Sequence, residues 1–217
     1  MCDFLDKHNI IVRNEEEKDY RRCEEIARDA FWNLYFPGAH EHFVVHKMRE
    51  HSDFIKDLSF VIEVDGKVEG AIYYTKSKIV TTDGEVDTIT FGPVFISPEF
   101  HRMGLGRIMI SHSISEAEDM GYRAIMTLGY PYHYEPYGFK SGKNYSISME
   151  DGKFYKGLLV LSLFDGALEG IEGYAVFSEV FDVTDEEVEE FDKNFPYKEK
   201  LVQESQAEYE KACAMLD

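Results

Sequence analysis

The sequence has few positive charges, few cysteines and no long apolar run. Its 23 lysines and arginines stand against 42 aspartates and glutamates, which gives a formal net charge of -19 over 217 residues. Nucleic acids and anionic membranes are bound mainly through lysine and arginine, so this balance argues against both as partners. It favours a cationic substrate, or it serves only solubility.

The three cysteines Cys2, Cys23 and Cys213 are widely spaced and contain no C-x-x-C pair. This usage argues against a disulfide framework and against a zinc site, and it is typical of a reducing compartment. The first ten residues carry no apolar signal core, and no apolar run approaches the length that crosses a bilayer. We therefore expect a cytoplasmic protein that does not associate with membranes.

Hydrophobic periodicity predicts an α/β fold. An Asp65-Gly66 hairpin turn separates two β-rich runs. Residues 87–128 alternate strand, helix and strand, which predicts a parallel βαβ unit with a right-handed crossover. Gly92-Pro93 interrupts the first of these strands, so we expect a bulge or a local separation from a neighbouring strand there.

The C-terminal part is the most acidic stretch of the chain. Residues 179–217 contain 13 acidic and 4 basic residues, a capping-box pattern that begins at Thr184, and a helical stripe after Pro196. We expect residues 1–178 to form one domain and residues 179–217 to be a helical extension packed on it. The stripe of the last helix fits either a homodimer contact or packing back onto the sheet.

A glycine-rich turn, H-R-M-G-L-G at residues 101–106, follows a strand and opens a helix. Such a turn offers backbone N–H groups to an anion, and Arg102 and Arg107 make it locally basic. It is not a Walker loop, and it is not a dinucleotide fingerprint because Met109 stands where the third glycine belongs. The alternative is a plain helix start with a glycine N-cap.

This turn resembles motif A of the GNAT N-acetyltransferase superfamily, [QR]-x-x-G-x-[GA] after a strand. The stretch YHYEPYGF at residues 132–139 resembles motif B, and residues 11–31 resemble the usual first strand and helix. The resemblance covers residues 10–177 and extends to the bacterial YhbS-like group of predicted acetyltransferases. It implies a mixed, mostly antiparallel sheet with splayed central strands and helices on both faces.

The resemblance also implies acetyl-CoA as cosubstrate, no metal, and an amine acceptor that is a small molecule or a protein. The backbone of the glycine turn is expected to hold the pyrophosphate, and the preceding strand to pair with the pantetheine amides. The implied coenzyme-binding residues are Val94, Phe95, Ile96, His101, Arg102, Met103, Gly104, Leu105, Gly106 and Arg107. His101 departs from the usual glutamine or arginine.

Tyr134, four residues before Gly138, matches the family's general acid, which protonates the departing thiolate. The alternative is a tyrosine that packs under the sheet. Candidates for the base are Glu41, Glu85 and Asp87, each of which is otherwise a solvated surface acid.

Trp32, with Phe31 and Tyr35, is a candidate for the acceptor pocket, and the alternative is that this aromatic face belongs to the core. His42 and His46 lie four residues apart on one helix, but no H-E-x-x-H motif and no third ligand accompany them. We interpret these histidines as a polar helix surface and predict no metal.

A second hypothesis comes from another class of protein. The same glycine turn and cleft fit a non-catalytic acyl-CoA sensor whose acidic C-terminal helix binds a partner. Turnover with an amine distinguishes the two, and the sequence does not identify that amine.

Overall fold

The computed structural model describes residues 2–217, with side chains from Phe4 onward, so the Cys2 thiol lies outside it. The helices are α1 (Cys2–Leu5), α2 (Tyr20–Phe31), α3 (Glu41–Met48), α4 (Leu105–Asp119), α5 (Pro131–Tyr134), α6 (Asp185–Asp192) and α7 (Glu204–Cys213). The strands are β1 (Ile10–Asn14), β2 (Phe60–Val64), β3 (Lys67–Thr81), β4 (Gly84–Ile96), β5 (Ala124–Leu128), β6 (Lys140–Ser141), β7 (Ile147–Ser148), β8 (Leu158–Ser162) and β9 (Gly173–Val176).

The strands join in one mixed sheet in the order β1-β2-β3-β4-β5-β8-β6, while β9 pairs with residues 78–80 of β3 and with β7. Most pairs are antiparallel, whereas β4–β5 and β7–β9 are parallel. Asp65 and Gly66 connect β2 to β3 with positive φ angles of 51° and 80°, as a two-residue hairpin turn requires. The mostly antiparallel α/β sheet with a parallel βαβ unit is therefore confirmed.

The Gly92-Pro93 interruption is a bulge in β4. Val94 pairs with Ile72 and Phe91 pairs with Tyr74, so two residues of β4 stand opposite one residue of β3. The bulge bends β4 in its C-terminal half.

The parallel neighbours β4 and β5 separate in the same region. They pair only at Ile89 with Ile125 and at Thr90 with Met126. Beyond this point a side-chain contact remains, in which the Thr127 hydroxyl donates to a β4 carbonyl at 3.3 Å. The splayed central strands that the sequence predicted are confirmed, and a cleft opens between the carboxyl ends of β4 and β5.

Helices cover both faces of the sheet because side chains alternate along each strand. Ile72 and Tyr74 pack in the core that α4 covers, whereas Ala71 and Tyr73 pack in the core beneath α2 and α3. Each core is apolar and buried, so together they fix the position of the sheet between its two helical layers.

A buried ion-pair network fixes the C-terminal end of α3. Arg49 lies 2.7 Å from a carboxylate oxygen of Glu15 and 2.7 Å from one of Glu24, and the Tyr73 hydroxyl donates to Glu15 at 2.5 Å. Buried charges are costly when one partner is removed, so this network holds the helix in one orientation. Glu41 occupies the other end of the same helix.

The C-terminal extension packs against α2 and α3. The buried Arg28 guanidinium donates to both carboxylate oxygens of Asp192, at 2.6 and 3.1 Å, and lies 4.2 Å from the centre of the Trp32 ring. The capping box at Thr184 is present, since Thr184 and Glu187 exchange hydrogen bonds. The division of the chain after residue 178 stays a prediction.

His42 does not lie on a polar helix surface, so that interpretation is wrong. Its ring is fully buried and contacts the rings of Phe191 and Phe195, at centroid distances of 5.6 and 5.2 Å. The physical reason is that α6 covers this face of α3, a contact that the local sequence of α3 does not indicate. His46 is exposed as expected and pairs with Glu24 at 3.0 Å.

Within residues 2–217, no helix combines the length and the apolar character that crossing a bilayer requires.

Candidate active site

The cleft exposes one edge of the bulged strand. The Ser97 N–H donates to the Glu69 carbonyl at 2.7 Å, and Phe95 stands opposite Ala71. Because hydrogen-bonded residues alternate along an antiparallel pair, the main-chain groups of Phe95 point towards β3. Those of Val94 and Ile96 therefore point into the cleft.

The side chains of this strand alternate in the same way. Val94 and Ile96 are partly buried against the core under α4, whereas the Phe95 ring is buried in the opposite core, 6.2 Å from the Tyr73 ring centre. Phe95 thus turns both its ring and its main-chain groups away from the cleft. Among the three strand residues named from the sequence, Val94 and Ile96 remain in reach of a ligand.

The glycine-rich turn lies at the end of this strand. Residues 98–100 form a 3-10 turn, Arg102 and Gly104 have positive φ angles of 64° and 94°, and α4 begins at Leu105. The first N–H groups of an α-helix have no partner within the helix. The amides of Leu105, Gly106 and Arg107 therefore form an anion-binding position at the positive end of the helix dipole.

The side chains of the turn divide between the core and solvent. Leu105 is buried under the sheet, Met103 is partly buried, and His101, Arg102 and Arg107 are exposed. The two exposed guanidinium groups add positive charge beside the free amides. This charge suits phosphate groups even in a chain of net charge -19.

Gly106 has no structural reason to be glycine within the protein itself. A Cβ built there meets only Ile96 Cγ1, at 3.8 Å, which is an ordinary contact, whereas Gly104 needs glycine for its positive φ angle. Open space above a helix N-terminus is what a bound phosphate requires. Gly106 therefore points to a ligand that approaches the backbone closely.

The His101 side chain has a role that the sequence did not reveal. Its Nε2 lies 2.9 Å from the Ile96 carbonyl oxygen, which is hydrogen-bond distance. This contact ties the glycine turn back to the end of β4. It also occupies one of the main-chain groups that face the cleft, so the Val94 groups and the Ile96 N–H remain for a ligand.

Tyr134 lies at the other end of the cleft, where β5 ends. Its ring centre is 5.3 Å from that of Phe91 and 5.9 Å from that of Phe139. Burial, followed by the nearby Tyr137, raises the pKa of Tyr134 to about 12. The phenol is therefore protonated at neutral pH and can act as a proton donor.

Glu41 is the first residue of α3, and it lies near a tyrosine group at this end of the cleft, which consists of Tyr35, Tyr130, Tyr132 and Tyr134. Burial raises the pKa of Glu41 to about 7, although its carboxylate accepts a hydrogen bond from the His40 N–H at 3.0 Å. The pKa of Tyr35 is raised by burial, then by Tyr134 and then by Glu41. Tyr35 therefore lies within electrostatic reach of both Tyr134 and Glu41.

The other acids proposed as bases lie elsewhere. Glu85 is exposed on β4 and pairs with Lys78 at 2.6 Å, and Asp87 is exposed two residues further along. Both precede the point at which β4 and β5 separate. They are solvated surface acids, which was the alternative interpretation of each.

The contacts of Trp32 are with the C-terminal extension. Its Nε1 donates to the Glu199 carbonyl at 3.0 Å, and its ring lines a cavity of about 210 Å³ with residues of the α2–α3 loop and of α6. Its role in acceptor binding stays a prediction. Tyr35, which the sequence grouped with Trp32, is the residue of that pair linked electrostatically to Tyr134.

Two residues at the site escaped the sequence analysis as functional candidates. Gly129 lies directly under the Tyr134 ring, since a Cβ built there would be 2.6 Å from Tyr134 Cε2. Tyr209 on α7 stacks on Tyr35 with ring centres 4.2 Å apart. The Tyr209 contact joins residues 174 positions apart, so no local signal could have revealed it.

No three histidine, cysteine, aspartate or glutamate side chains of the described part come together in a way that could hold a metal ion.

Comparison with known proteins agrees with this geometry. The model of the acetyltransferase (GNAT) family matches residues 21–133, more than half of the chain. The uncharacterized N-acetyltransferase YhbS of Escherichia coli strain K12 is 26% identical over 154 residues, which cover 70% of this chain and 90% of that protein.

Solved structures share the fold. The crystal structure of YhbS from Escherichia coli in complex with CoA superposes with a TM-score of 0.71 at 21% identity, covering 81% of this chain and 93% of that one. A GNAT family acetyltransferase from Brucella melitensis in complex with acetyl-CoA gives a TM-score of 0.66 at 22% identity, covering 81% and 99%. Because the family model matches more than half of the chain, including the whole βαβ unit, this chain belongs to the GNAT acetyltransferase family.

Proposed function

We propose that this protein transfers an acetyl group from acetyl-CoA to a primary amine by direct attack of the amine on the thioester. One observation carries the proposal. A single cleft between β4 and β5 has the free amides of α4 at one end, beside Ile96, and the Tyr134 phenol at the other, beside Phe91. An extended ligand that lies along β4 would reach both ends.

The coenzyme would bind through main-chain groups. Its diphosphate would accept hydrogen bonds from the amides of Leu105, Gly106 and Arg107, and the open space at Gly106 supports so close an approach. The pantetheine amides would pair with the free edge of β4 at Val94, as a peptide adds to a sheet. The similar YhbS and Brucella melitensis structures contain CoA and acetyl-CoA, which supports this cosubstrate.

The chemistry needs three proton transfers. An aliphatic ammonium first loses a proton to a base, because only the neutral amine is a nucleophile. Its nitrogen then attacks the thioester carbonyl carbon, and the oxyanion that forms accepts a hydrogen bond from the exposed edge of β4. The C–S bond breaks, the sulfur takes the Tyr134 proton, and the second amine proton returns to the phenolate through solvent.

Glu41 is the base that the surroundings favour. With its pKa at about 7, a large fraction of the carboxylate is ionised at neutral pH and still able to hold a proton. Glu41 and Tyr134 both contribute to the raised pKa of Tyr35, so Glu41 shares a neighbouring residue with the general acid. Glu85 and Asp87 have no comparable surroundings.

The test is thiol release from acetyl-CoA with a panel of primary amines, measured for the wild-type chain, Tyr134→Phe and Tyr122→Phe. Tyr122 is a matched control, because it is also a half-buried tyrosine with a raised pKa but lies beyond the other end of α4. We expect Tyr134→Phe to lower kcat by about 10²-fold or more with acetyl-CoA affinity retained, and Tyr122→Phe to behave as wild type. Acetyl-CoA binding without turnover of any amine would instead identify an acyl-CoA sensor.

A further inference from the structure

The C-terminal segment, residues 197–217, crosses the molecule beside the tyrosine group and is fastened at both ends. Near its start, the Leu201 N–H donates to Asn33 Oδ1 and the Gln206 side chain donates to the Asn33 carbonyl, each at 3.0 Å. The Ser205 hydroxyl donates to the neighbouring Leu34 carbonyl at 3.0 Å. These bonds attach the beginning of α7 to the loop after α2.

The other end is held by the loop before β8. The Lys156 N–H donates to the Met215 carbonyl and the Asp217 N–H donates to the Phe154 carbonyl, each at 2.9 Å. Gly157, the next residue of that loop, accepts a hydrogen bond from the Gly129 N–H at the end of β5. α7 therefore spans from the α2–α3 loop to the carboxyl end of β5, where Tyr134 lies.

Between these attachments, α7 contributes one ring to the site. Tyr209 stacks on Tyr35 at 4.2 Å between ring centres and with 27° between ring planes. None of the residues of α7 is fully buried. The helix thus rests on the site through the Tyr209–Tyr35 stack and is held in place by the hydrogen bonds at its ends.

The groups that surround this aromatic pair are phenols, carboxylates and the Cys213 thiol. Tyr130 and Tyr132 stack on each other with ring centres 5.4 Å apart. The pKa of Tyr209 is raised by burial and then by Cys213, Tyr35 and Glu41, and the pKa of Tyr130 by burial and then by Tyr132, Cys213 and Glu208. Aromatic faces together with carboxylates are what an organic ammonium ion prefers.

We propose that α7 forms the outer wall of the acceptor pocket, and that Tyr209, stacked on Tyr35, selects a small cationic amine over an amine carried by a peptide or protein. The inference rests on the proposed acetyl transfer at Tyr134. A small ammonium ion would bind against the tyrosine rings, close to Glu41, without displacing the C-terminal segment. A lysine or N-terminus of a protein would have to displace that segment.

The first test uses the full-length chain and three variants. Tyr209→Ala removes the ring, Tyr209→Phe keeps it, and Tyr197→Ala removes a tyrosine of the same segment that is 90% exposed. The acceptors are 1,4-diaminobutane and a lysine-containing peptide, with thiol release as the readout and acetyl-CoA affinity measured by calorimetry.

We expect Tyr209→Ala to raise KM for 1,4-diaminobutane about tenfold and to leave the acetyl-CoA Kd within twofold. Tyr209→Phe should recover most of the loss, because the stacked face is restored, and Tyr197→Ala should match wild type. The ratio of peptide to diamine turnover should rise in Tyr209→Ala. An unchanged diamine KM in Tyr209→Ala, or a wild-type chain that prefers the peptide, would overturn the proposal.

A second test does not depend on turnover. Hydrogen exchange of residues 204–213 is measured with CoA alone and with CoA plus 1,4-diaminobutane. Slower exchange only when the amine is added supports the outer-wall role, even if no acetyl transfer is detected. Exchange that ignores the amine contradicts it, even if Tyr134 proves to be catalytic, so the two proposals fail separately.

Discussion

The Tyr134 ring lies directly over the backbone of Gly129. A Cβ on Gly129 would be 2.6 Å from Tyr134 Cε2, a distance at which one of the two must move. The ring has little room to retreat, because Phe91 and Phe139 pack around it. Glycine at the end of β5 therefore places the phenol in the cleft.

This relationship predicts the effect of Gly129→Ala. The added methyl group should displace the Tyr134 ring, so kcat should fall about tenfold or more while the acetyl-CoA Kd stays within twofold. In a Tyr134→Phe background the same change should cost much less, because the group it displaces no longer donates a proton. Additive losses in this double-mutant cycle would show that Gly129 acts through some other contact.

Gly106 yields a prediction with opposite effects on stability and binding. Gly106→Ala places a methyl group where the protein offers an ordinary contact at 3.8 Å, so the free energy of unfolding should stay equal or rise by about 0.5–1 kcal/mol. The same methyl group would occupy the space assigned to the diphosphate, so the CoA Kd should rise about tenfold or more.

The control for that change is Ser111→Ala, which removes a polar side chain at an exposed position on the same helix. Urea unfolding and calorimetric titration with CoA measure the two quantities separately. Weaker CoA binding in both variants, or in neither, would show that Gly106 is not part of the phosphate cradle.

The pKa of Glu41 sets the expected pH dependence of turnover. Burial raises it to about 7, so the carboxylate is protonated below pH 7 and can accept a proton only above it. At saturating amine, kcat should therefore rise between pH 6 and 8. In Glu41→Gln, kcat should be at least about tenfold lower and should not rise between pH 6 and 8. Glu85→Gln should keep the wild-type pH profile. If kcat of Glu41→Gln still rises between pH 6 and 8, the base is another group.

Local features of the fold could be predicted from the sequence, and distant contacts could not. The hairpin at Asp65-Gly66, the bulge at Gly92-Pro93 and the turn before α4 each depend on a few consecutive residues with restricted backbone geometry. The stacking of Tyr209 on Tyr35 depends on where a remote helix packs. A homodimer through that helix stays a prediction.

The alternation within β4 illustrates the same limit. The sequence indicated that residues 94–96 line the coenzyme site, because a strand precedes the glycine turn. Which main-chain groups face the cleft depends on the register with β3, and Phe95 is the residue that pairs there. The ring contact of His101 with the Ile96 carbonyl was missed for a related reason, because it depends on how the turn folds back.

His42 packs against the C-terminal extension in a buried environment that disfavours the charged form of its ring. Its ring is fully buried beside Phe191 and Phe195, with Asp192 Oδ1 3.2 Å from its Nε2. Neither ring nitrogen has a partner with good hydrogen-bond geometry within residues 2–217. Burial therefore outweighs the attraction of Asp192 and lowers the pKa of His42 to about 4.

A histidine whose pKa is lower in the folded state than in the unfolded chain stabilises the fold above its ordinary pKa of about 6.5, and this stability is lost as pH falls towards 4. We expect this loss to reach on the order of 3 kcal/mol, since each pKa unit corresponds to about 1.4 kcal/mol. Urea unfolding at pH 7.5 and pH 4.5 should therefore show a smaller acid-induced loss in His42→Phe than in wild type. His46→Gln, at an exposed site, should keep the wild-type loss, and an equal loss in all three chains would remove His42 as the cause.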